Sequence, residues 1–217
     1  FSDFLTQITK EPKTQEYGGY IHSASQSLLT ILNDVLDFSK MEAEKTELDL
    51  DEVGLSELIE SMLFWRGKAI EKNIKFETIY NELPASTVWA DEGRLRQIIS
   101  NLVSNALKFT PENGSVSLRA FPVGIEGTEQ RIRFEVQDTG IGFTDEAAEK
   151  LFQPFVQADG KIAKNFGGTG LGLAICAKLV GLMDGEIGAK GQLGEGALFW
   201  FEVPFRSFGE NEKLTSD

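Results

Sequence analysis

The stretch Arg131-Ile-Arg-Phe-Glu-Val-Gln-Asp138-Thr-Gly-Ile-Gly142 alternates apolar and polar residues and then passes into two glycines. A period of two predicts a β-strand whose buried face carries Ile132, Phe134 and Val136. Asp138 has the same parity, so the sequence predicts a carboxyl group at the inward end of a buried strand. Such a group needs a hydrogen-bond donor, because burying an unpaired charge is costly.

The end of this strand is a candidate site for a purine base. An exocyclic amine such as N6 of adenine could donate to Asp138. Gly140 and Gly142 would let a flat base approach the backbone, since neither has a Cβ atom. An ordinary aspartate turn after a strand is the alternative for this piece alone.

The remaining helices and strands indicate the fold class. The patterns predict helices over Leu55–Lys72, Leu95–Phe109 and Thr169–Met183, strands over Ile74–Tyr80, Ser115–Phe121, Glu186–Lys190 and Ala197–Phe205, and a glycine-containing loop at Val123–Gln130. Because neighbouring strands form hairpins while the helices group apart, we predict an α+β two-layer sandwich.

The predicted helix that ends at Phe109 carries a polar stripe. At about 100° per residue, Asn101, Asn105 and Lys108 fall on one line. Asparagine oxygens can ligate Mg²⁺, and an ammonium group can meet phosphate oxygens. The stripe suits a hydrated metal with a polyphosphate, and a solvated helix face is the alternative. The neighbouring apolar face, predicted to pack on the sheet, consists of Leu95, Ile99, Leu102 and Ala106.

The run Asn165-Phe-Gly-Gly-Thr-Gly-Leu-Gly-Leu173 opens another predicted helix. Its glycines expose backbone N–H groups at a helix N-terminus, where anions bind. It is not a Walker loop, since no Gly-Lys-Ser/Thr closes it, and no βαβ pattern supports a dinucleotide fold. The long connector Phe143–Asn165, with Phe152 and Phe155, is predicted to be a lid or a mobile segment. In this order, the motifs outline an ATP pocket.

Composition excludes several other classes of protein. The 217 residues include 21 Lys and Arg against 34 Asp and Glu, and the net charge of −13 disfavours nucleic acids and anionic membranes as partners. One Cys and one His exclude an intramolecular disulfide framework and a zinc cage. No apolar run reaches the length of a membrane-spanning helix, and no signal peptide is recognised. We expect a cytoplasmic location; a membrane anchor elsewhere in a longer parent protein stays open.

The first 46 residues have a different pattern. Phe1–Lys10 is predicted to be the end of one helix, stopped by Glu11-Pro12, and a second helix is predicted from Gln15 to Lys45. The apolar stripe of the second helix is wide, which indicates a helical hairpin in a dimeric bundle. An amphipathic helix lying on its own domain is the alternative. The predicted domains are a helical hairpin at 1–46, the α+β domain at 47–207 and a polar tail or linker at 208–217.

These motifs together resemble those of bacterial sensor histidine kinases. Asn101-Leu-Val-Ser-Asn105-Ala-Leu-Lys-Phe-Thr is similar to the N box, and Asp138-Thr-Gly-Ile-Gly142 to the G1 box. Leu151-Phe-Gln-Pro-Phe155 is similar to the F box, and Gly168-Thr-Gly-Leu-Gly-Leu173 to the G2 box. Four boxes in order imply a Bergerat-type α/β sandwich that binds ATP and Mg²⁺ under a mobile lid.

The resemblance also implies roles for single residues. Asn105 would ligate Mg²⁺ with the help of Asn101, and Lys108 would contact phosphate. Lys164 stands where many relatives have Arg, and Lys lacks the bidentate phosphate binding of Arg. The implied catalytic residues are Asn101, Asn105 and Lys108. The implied ATP-binding residues are Asn101, Asn105, Lys108, Phe109 beside adenine, Asp138, Gly140, Gly142, Phe155, Lys164, Gly168, Thr169, Gly170, Leu171 and Gly172.

Residues 1–46 resemble part of the dimerisation and phosphoacceptor hairpin of the same family. There the phosphorylated His lies on the first helix, in a His-Glu/Asp-x-x-Thr-Pro context, and Phe1-Ser-Asp-Phe-Leu is similar to the residues immediately after that motif. We therefore expect no phosphoacceptor in this chain, and ATP binding without autophosphorylation. His22, the only histidine, has no adjacent acid and no Thr-Pro, so we interpret it as a helix-surface or partly packed residue.

The resemblance implies the kinase core of a two-component sensor histidine kinase. Such a core transfers the γ-phosphate of ATP to a histidine on the upstream helix, for relay to an aspartate of a response-regulator receiver domain, and the full-length protein would form a homodimer through the hairpin. The alternatives are a non-catalytic, nucleotide-tuned module that docks a response regulator and a free-standing ATPase of the gyrase–chaperone type. The ATPase is disfavoured, because hydrolysing relatives carry Glu at the position matching Asn101, and an amide cannot accept a proton from water.

Overall fold

The computed structural model describes residues 12–42, 47–80, 83, 87–126, 129–156 and 170–206. The chain divides into two compact units, Phe1–Thr46 and Glu47–Asp217. Among the described helices, none is both long enough and apolar enough to cross a membrane. The predicted helix at Phe1–Lys10 and the predicted tail at 208–217 lie outside the described residues.

The described part of the first unit is one long helix, α1 (Pro12–Glu42). Pro12 opens this helix, which is compatible with a first-turn position because the missing N–H would have no partner there. The predicted helix is confirmed over the described residues, and it begins at Pro12, three residues before the predicted start; residues 43–45 of the prediction lie outside the described residues. Many of its large apolar side chains are exposed, among them Tyr17, Tyr20, Ile21, Leu28, Leu29, Ile31, Leu32, Val35 and Leu36.

The second unit is built on a five-stranded sheet in the order β2-β4-β5-β7-β6. Its strands are β2 (Lys75–Ile79), β4 (Ser115–Glu126), β5 (Glu129–Asp138), β6 (Glu186–Gln192) and β7 (Gly196–Arg206). β2 and β4 are parallel, and the other neighbours are antiparallel. Two short strands, β1 (Asp51–Val53) and β3 (Val88–Ala90), form a separate antiparallel pair.

Helices form the second layer of this unit. They are α2 (Leu55–Ser61), a 3₁₀ turn (Met62–Phe64), α3 (Trp65–Glu71), α4 (Glu92–Phe109), α5 (Asp145–Ala148) and α6 (Gly172–Leu182). α4 packs against β4, β5 and α6, and α6 also packs against β6 and β7. This arrangement confirms the predicted α+β two-layer sandwich.

The core lies between the helices and the inward face of the sheet. The side chains of β5 that were predicted to face inward, Ile132, Phe134 and Val136, are buried. The Phe134 ring stacks on that of Phe201 with the centroids 4.7 Å apart. The predicted packing face of α4 is also buried, at Leu95, Ile99, Leu102 and Ala106. With these faces buried, the loop after β5 lies against the C-terminal end of α4.

Two segments differ from the sequence-based prediction, and three short elements were not predicted. The predicted loop at Val123–Gln130 is mostly strand, because β4 continues to Glu126 past a register shift between Pro122 and Gly124. The helix predicted at Leu55–Lys72 is divided by the 3₁₀ turn. The short elements β1, β3 and α5 were not predicted, because three or four residues are too few to establish a period.

Truncation of the buried ring, Phe134→Ala, should lower the free energy of unfolding by about 3–5 kcal/mol, because it removes a stacked core ring and leaves a cavity. Ile125→Ala is the matched control on the same hairpin, because Ile125 is 77% exposed. Urea unfolding of both variants measures the difference. Equal losses in the two variants would contradict the assigned core.

Candidate functional site

Asp138 is a buried acid at the last position of β5, with 5% of its surface exposed. Its Oδ1 atom accepts a hydrogen bond from the backbone N–H of Gly140 at 2.7 Å. Burial raises the pKa of the Asp138 carboxyl, and hydrogen bonds from the backbone N–H groups of Gly140 and Ala197 oppose that rise. The predicted inward acid is therefore present, and local donors hold it in place.

The glycines after Asp138 let three backbone segments meet. A Cβ atom on Gly140 would lie 2.6 Å from the carbonyl oxygen of Phe109. Gly142 has a φ of +63°, and a Cβ atom there would lie 1.9 Å from the carbonyl oxygen of Gln192. Packing against the protein's own backbone thus requires glycine at both positions, whereas the sequence suggested that these glycines give access to a base.

Gly196 is a site residue that the sequence analysis missed. It opens β7 with a φ of +93°, and a Cβ atom on it would lie 2.0 Å from the carbonyl oxygen of Asp138. The sequence does contain a cue, the run Gly194-Glu-Gly196, but by itself this run is typical of an ordinary hairpin turn. Its role becomes clear only from the pairing of β7 with β5.

The hydroxyl of Thr139 also holds this end of the sheet. Its Oγ1 atom accepts a hydrogen bond from the backbone N–H of Ser115 at 2.9 Å. The backbone N–H of Thr139 donates to the carbonyl oxygen of Ser115 at 3.1 Å. These bonds attach the loop after Asp138 to the start of β4.

α4 presents the predicted polar stripe. Its N-cap is Asp91, whose carboxylate accepts from the backbone N–H of Arg94 at 2.9 Å. Asn101, Asn105 and Lys108 are each half-buried on this helix. The Nδ2 atom of Asn101 donates to the carbonyl oxygen of Gly172 at 3.4 Å. The stripe therefore meets the first residue of α6.

The last turn of α4 carries a cation next to an aromatic ring. The Nζ atom of Lys108 lies 4.9 Å from the ring centroid of Phe109. Burial and the nearby charge of Lys72 lower the pKa of the Lys108 ammonium. Both residues lie at the end of α4 that faces the loop after Asp138, because the backbone N–H of Ile141 donates to the carbonyl oxygen of Phe109 at 3.3 Å.

The glycine-rich segment is described from Gly170 onward. The carbonyl oxygen of Gly170 accepts from the backbone N–H of Phe155 at 3.1 Å. The ring of Phe155 is exposed, whereas the Leu171 side chain is buried, so Leu171 could meet a ligand only through its backbone. Gly172 begins α6. The predicted site residues Lys164, Gly168 and Thr169 lie outside the described residues.

The described contacts form one connected site. They link Asp138 through Gly140 to the end of α4, and they link Asn101 through Gly172 to the segment at Gly170 and Phe155. Within the part of the chain that is described, no three His, Cys, Asp or Glu side chains cluster to hold a metal ion. On the predicted polar stripe of α4, the side chains with oxygen atoms for a cation are the amides of Asn101 and Asn105.

Gly196→Ala should destabilise the protein more than Gly194→Ala. Both positions have a positive φ, but a Cβ atom on Gly194 meets nothing within 4 Å, so Gly194 reports the cost of the backbone conformation alone. That cost is about 1–2 kcal/mol for a left-handed residue. Urea unfolding should show a larger loss of unfolding free energy for Gly196→Ala than for Gly194→Ala. Equal losses would contradict the close contact between Gly196 and the Asp138 backbone.

Comparison with known proteins agrees with this architecture. The family model of the histidine kinase-, DNA gyrase B- and HSP90-like ATPases matches residues 90–207, which is more than half of the chain. The sensor histidine kinase GacS of Pseudomonas protegens is 40% identical over 205 residues, 94% of this chain and 22% of that protein. The chain thus spans less than a quarter of the length of the GacS relatives that it matches.

Two solved structures are also similar. Full-length ShkA in complex with AMPPNP superimposes with a TM-score of 0.79 at 37% identity, over 96% of this chain and 42% of that chain. The histidine kinase ThkA in complex with the response regulator TrrA gives a TM-score of 0.66 at 27% identity, over 92% of this chain and 54% of that chain. These matches confirm the resemblance to sensor histidine kinases, and the chain belongs to the family of histidine kinase-, DNA gyrase B- and HSP90-like ATPases.

Proposed function

We propose that the second unit is the ATP-binding catalytic domain of a sensor histidine kinase. It binds ATP with Mg²⁺ and positions the γ-phosphate for transfer to a histidine that this chain does not supply. The observation that carries this proposal is the buried acid Asp138 at the end of β5, in contact through Gly140 with the helix that bears Asn101, Asn105 and Lys108. The structure of ShkA with AMPPNP, a nucleotide analogue, supports a nucleotide as the ligand.

Asp138 is suited to select the adenine base. Its carboxylate is mostly removed from water. A ligand amino group that donates to it therefore supplies a hydrogen bond without having to displace much bound water. The end of α4 at Phe109 lies against the same loop, which would place the aromatic ring beside the base. Gly140 and Gly142 shape this end of the site by allowing the close backbone contacts described above.

α4 is suited to hold the metal and the phosphates. Because the amide nitrogen of Asn101 donates to Gly172, its amide oxygen is the atom that could meet a cation. Asn105 lies one turn later on the same line, and amide oxygens match the preference of Mg²⁺ for hard oxygen ligands. Mg²⁺ supplies neutralisation of the charge on the phosphate oxygens. Lys108 would add a positive charge, and the backbone at Gly170 and Gly172 would add N–H donors at the start of α6.

The residues present favour transfer to histidine over hydrolysis. Phosphoryl transfer depends mainly on positioning and charge neutralisation, which Asn101, Asn105 and Lys108 can provide. None of these three side chains can serve as a carboxylate base for a water molecule. An imidazole is already a nucleophile and does not need such a base.

The first unit fits the partners of a histidine kinase. Its helix α1 exposes a long series of apolar side chains, which would be covered by a second copy in a homodimer and by the receiver domain of a response regulator. The complex of ThkA with TrrA supports a response regulator as partner. The proposed phosphoacceptor is not His22, which is half-buried on α1. Cytoplasmic ATP as the phosphoryl donor makes a cytoplasmic location part of the proposal.

Asp138→Asn should weaken the binding of both adenosine and Mg·ATP by roughly 10- to 100-fold, because the amide cannot offer a charged acceptor to the base. Asp91→Asn is the matched control, since Asp91 is also a buried acid but caps the far end of α4. Isothermal titration measures both variants. Unchanged affinity in Asp138→Asn would exclude the proposed base site.

The same acid predicts a pH dependence. Because burial raises the pKa of Asp138, its charged form is complete only above that raised value. Adenosine affinity of the wild-type protein should therefore fall as the pH decreases through the raised pKa. The Asp138→Asn variant should bind weakly with no such fall. A titration monitored by NMR compares the two, and parallel profiles would show that Asp138 does not contact the base.

Asn101→Glu should increase ATP hydrolysis at least tenfold, because a carboxylate at this position can accept a proton from water. Gln97→Glu is the control, since it places the same charge one turn earlier on α4. Phosphate release measured with excess ATP distinguishes the variants. Hydrolysis that is unchanged in Asn101→Glu would contradict the assigned role of the amide.

A further inference from the structure

Lys72 lies next to the end of α4 that carries the proposed phosphate-binding residue Lys108. It follows α3, and its Nζ atom donates to the carbonyl oxygen of Leu107 at 3.1 Å. Leu107 lies in the last turn of α4 and immediately precedes Lys108. The last carbonyl groups of a helix have no partner within it, and a lysine there satisfies one of them and is favoured by the helix dipole.

The turn that carries Lys72 is attached to the turn after α4. Asn73 donates from Nδ2 to Oδ1 of Asn113 at 2.8 Å. The backbone N–H of Asn113 donates to the carbonyl oxygen of Asn73 at 2.9 Å, and that of Lys75 donates to the carbonyl oxygen of Gly114 at 2.9 Å. These three bonds fix the base of the Lys72 side chain relative to α4, which sets Lys72 apart from a surface lysine on a loose turn.

The fold therefore keeps two ammonium groups close together at the end of α4. Burial lowers the pKa of the Lys108 ammonium, and the nearby charge of Lys72 lowers it further. Like charges repel, and partial burial of Lys108 weakens the screening of that repulsion by water. A polyanion bound against Lys108 would attract both ammonium groups, and this attraction would offset the repulsion between them.

We propose that Lys72 is a positioning residue of the phosphate site, which holds the last turn of α4 and adds a second positive charge that strengthens binding of the polyphosphate tail. The inference rests on the proposed function and extends it to a residue outside the four boxes. The charge of Lys72 attracts the negatively charged phosphates, whereas the adenine base carries no negative charge for it to attract. Its contribution should therefore appear with ATP and be absent with adenosine.

The test titrates Mg·ATP and adenosine, at low ionic strength, into the full chain and four variants. Lys72→Gln keeps a donor for Leu107 and removes the charge, Lys72→Met removes both, and Lys72→Arg keeps both. Lys68→Gln is the control one turn earlier, on α3, where the Lys68 ammonium lies 4.5 Å from the Trp65 ring centroid. Urea unfolding of each variant shows whether the fold is retained.

Lys72→Gln and Lys72→Met should weaken Mg·ATP binding roughly three- to tenfold, an effect that added salt should reduce. Adenosine binding should change less than twofold, and Lys72→Arg and Lys68→Gln should behave as wild type. Wild-type Mg·ATP affinity in Lys72→Gln would overturn the inference. Equal losses for ATP and adenosine would also overturn it, since they would indicate a purely structural role. If Asp138→Asn weakens both ligands while the Lys72 variants change neither, the base site stands and only this inference fails.

Discussion

The hydrogen bond from the Gly140 backbone to the buried Asp138 carboxyl is the interaction on which the site depends. A carboxyl group that is nearly excluded from water must be held by donors, and one of them lies only two residues further along the chain. The loop that supplies this donor then passes directly under the end of α4 and beside the start of β7. Three elements can meet there only because Gly140, Gly142 and Gly196 have no side chain.

α4 connects the core of the second unit to the proposed binding site. One face of the helix is fully buried on the sheet and fixes its rotation about its own axis. The polar stripe of Asn101, Asn105 and Lys108 is then turned toward the start of α6, without a separate device to orient it. Asn101 makes the contact to Gly172, so the amide that could meet a cation is held by the same helix pair that closes the core.

The sequence predicts much of this architecture because its signals are periodic. Alternation along β5 correctly indicates that Asp138 points inward, and the 3.6-residue period of α4 correctly indicates its buried face. The glycines were harder to interpret. Gly196 could not be assigned before the pairing of β7 with β5 was known, since its close neighbour, Asp138, is far away in the sequence. Lys72 carries no motif at all, and its place next to Leu107 follows from tertiary contacts alone. The ligand-binding roles of all the predicted site residues stay predictions, and Lys164, Gly168 and Thr169 also lie outside the described residues.

The parallel pairing of β2 with β4 has a consequence for how the domain folds. These neighbours run in the same direction, so the chain between them must cross over the sheet, and that crossover includes β3 and α4. The edge strand β2 is therefore joined to its neighbour by a long connection that contains α4. Loop closure of this kind is entropically slow and links residues that are distant in sequence. Because α4 lies within this crossover, a change that loosens its docking on the sheet should weaken the pairing of the outer strand β2 as well as the proposed site.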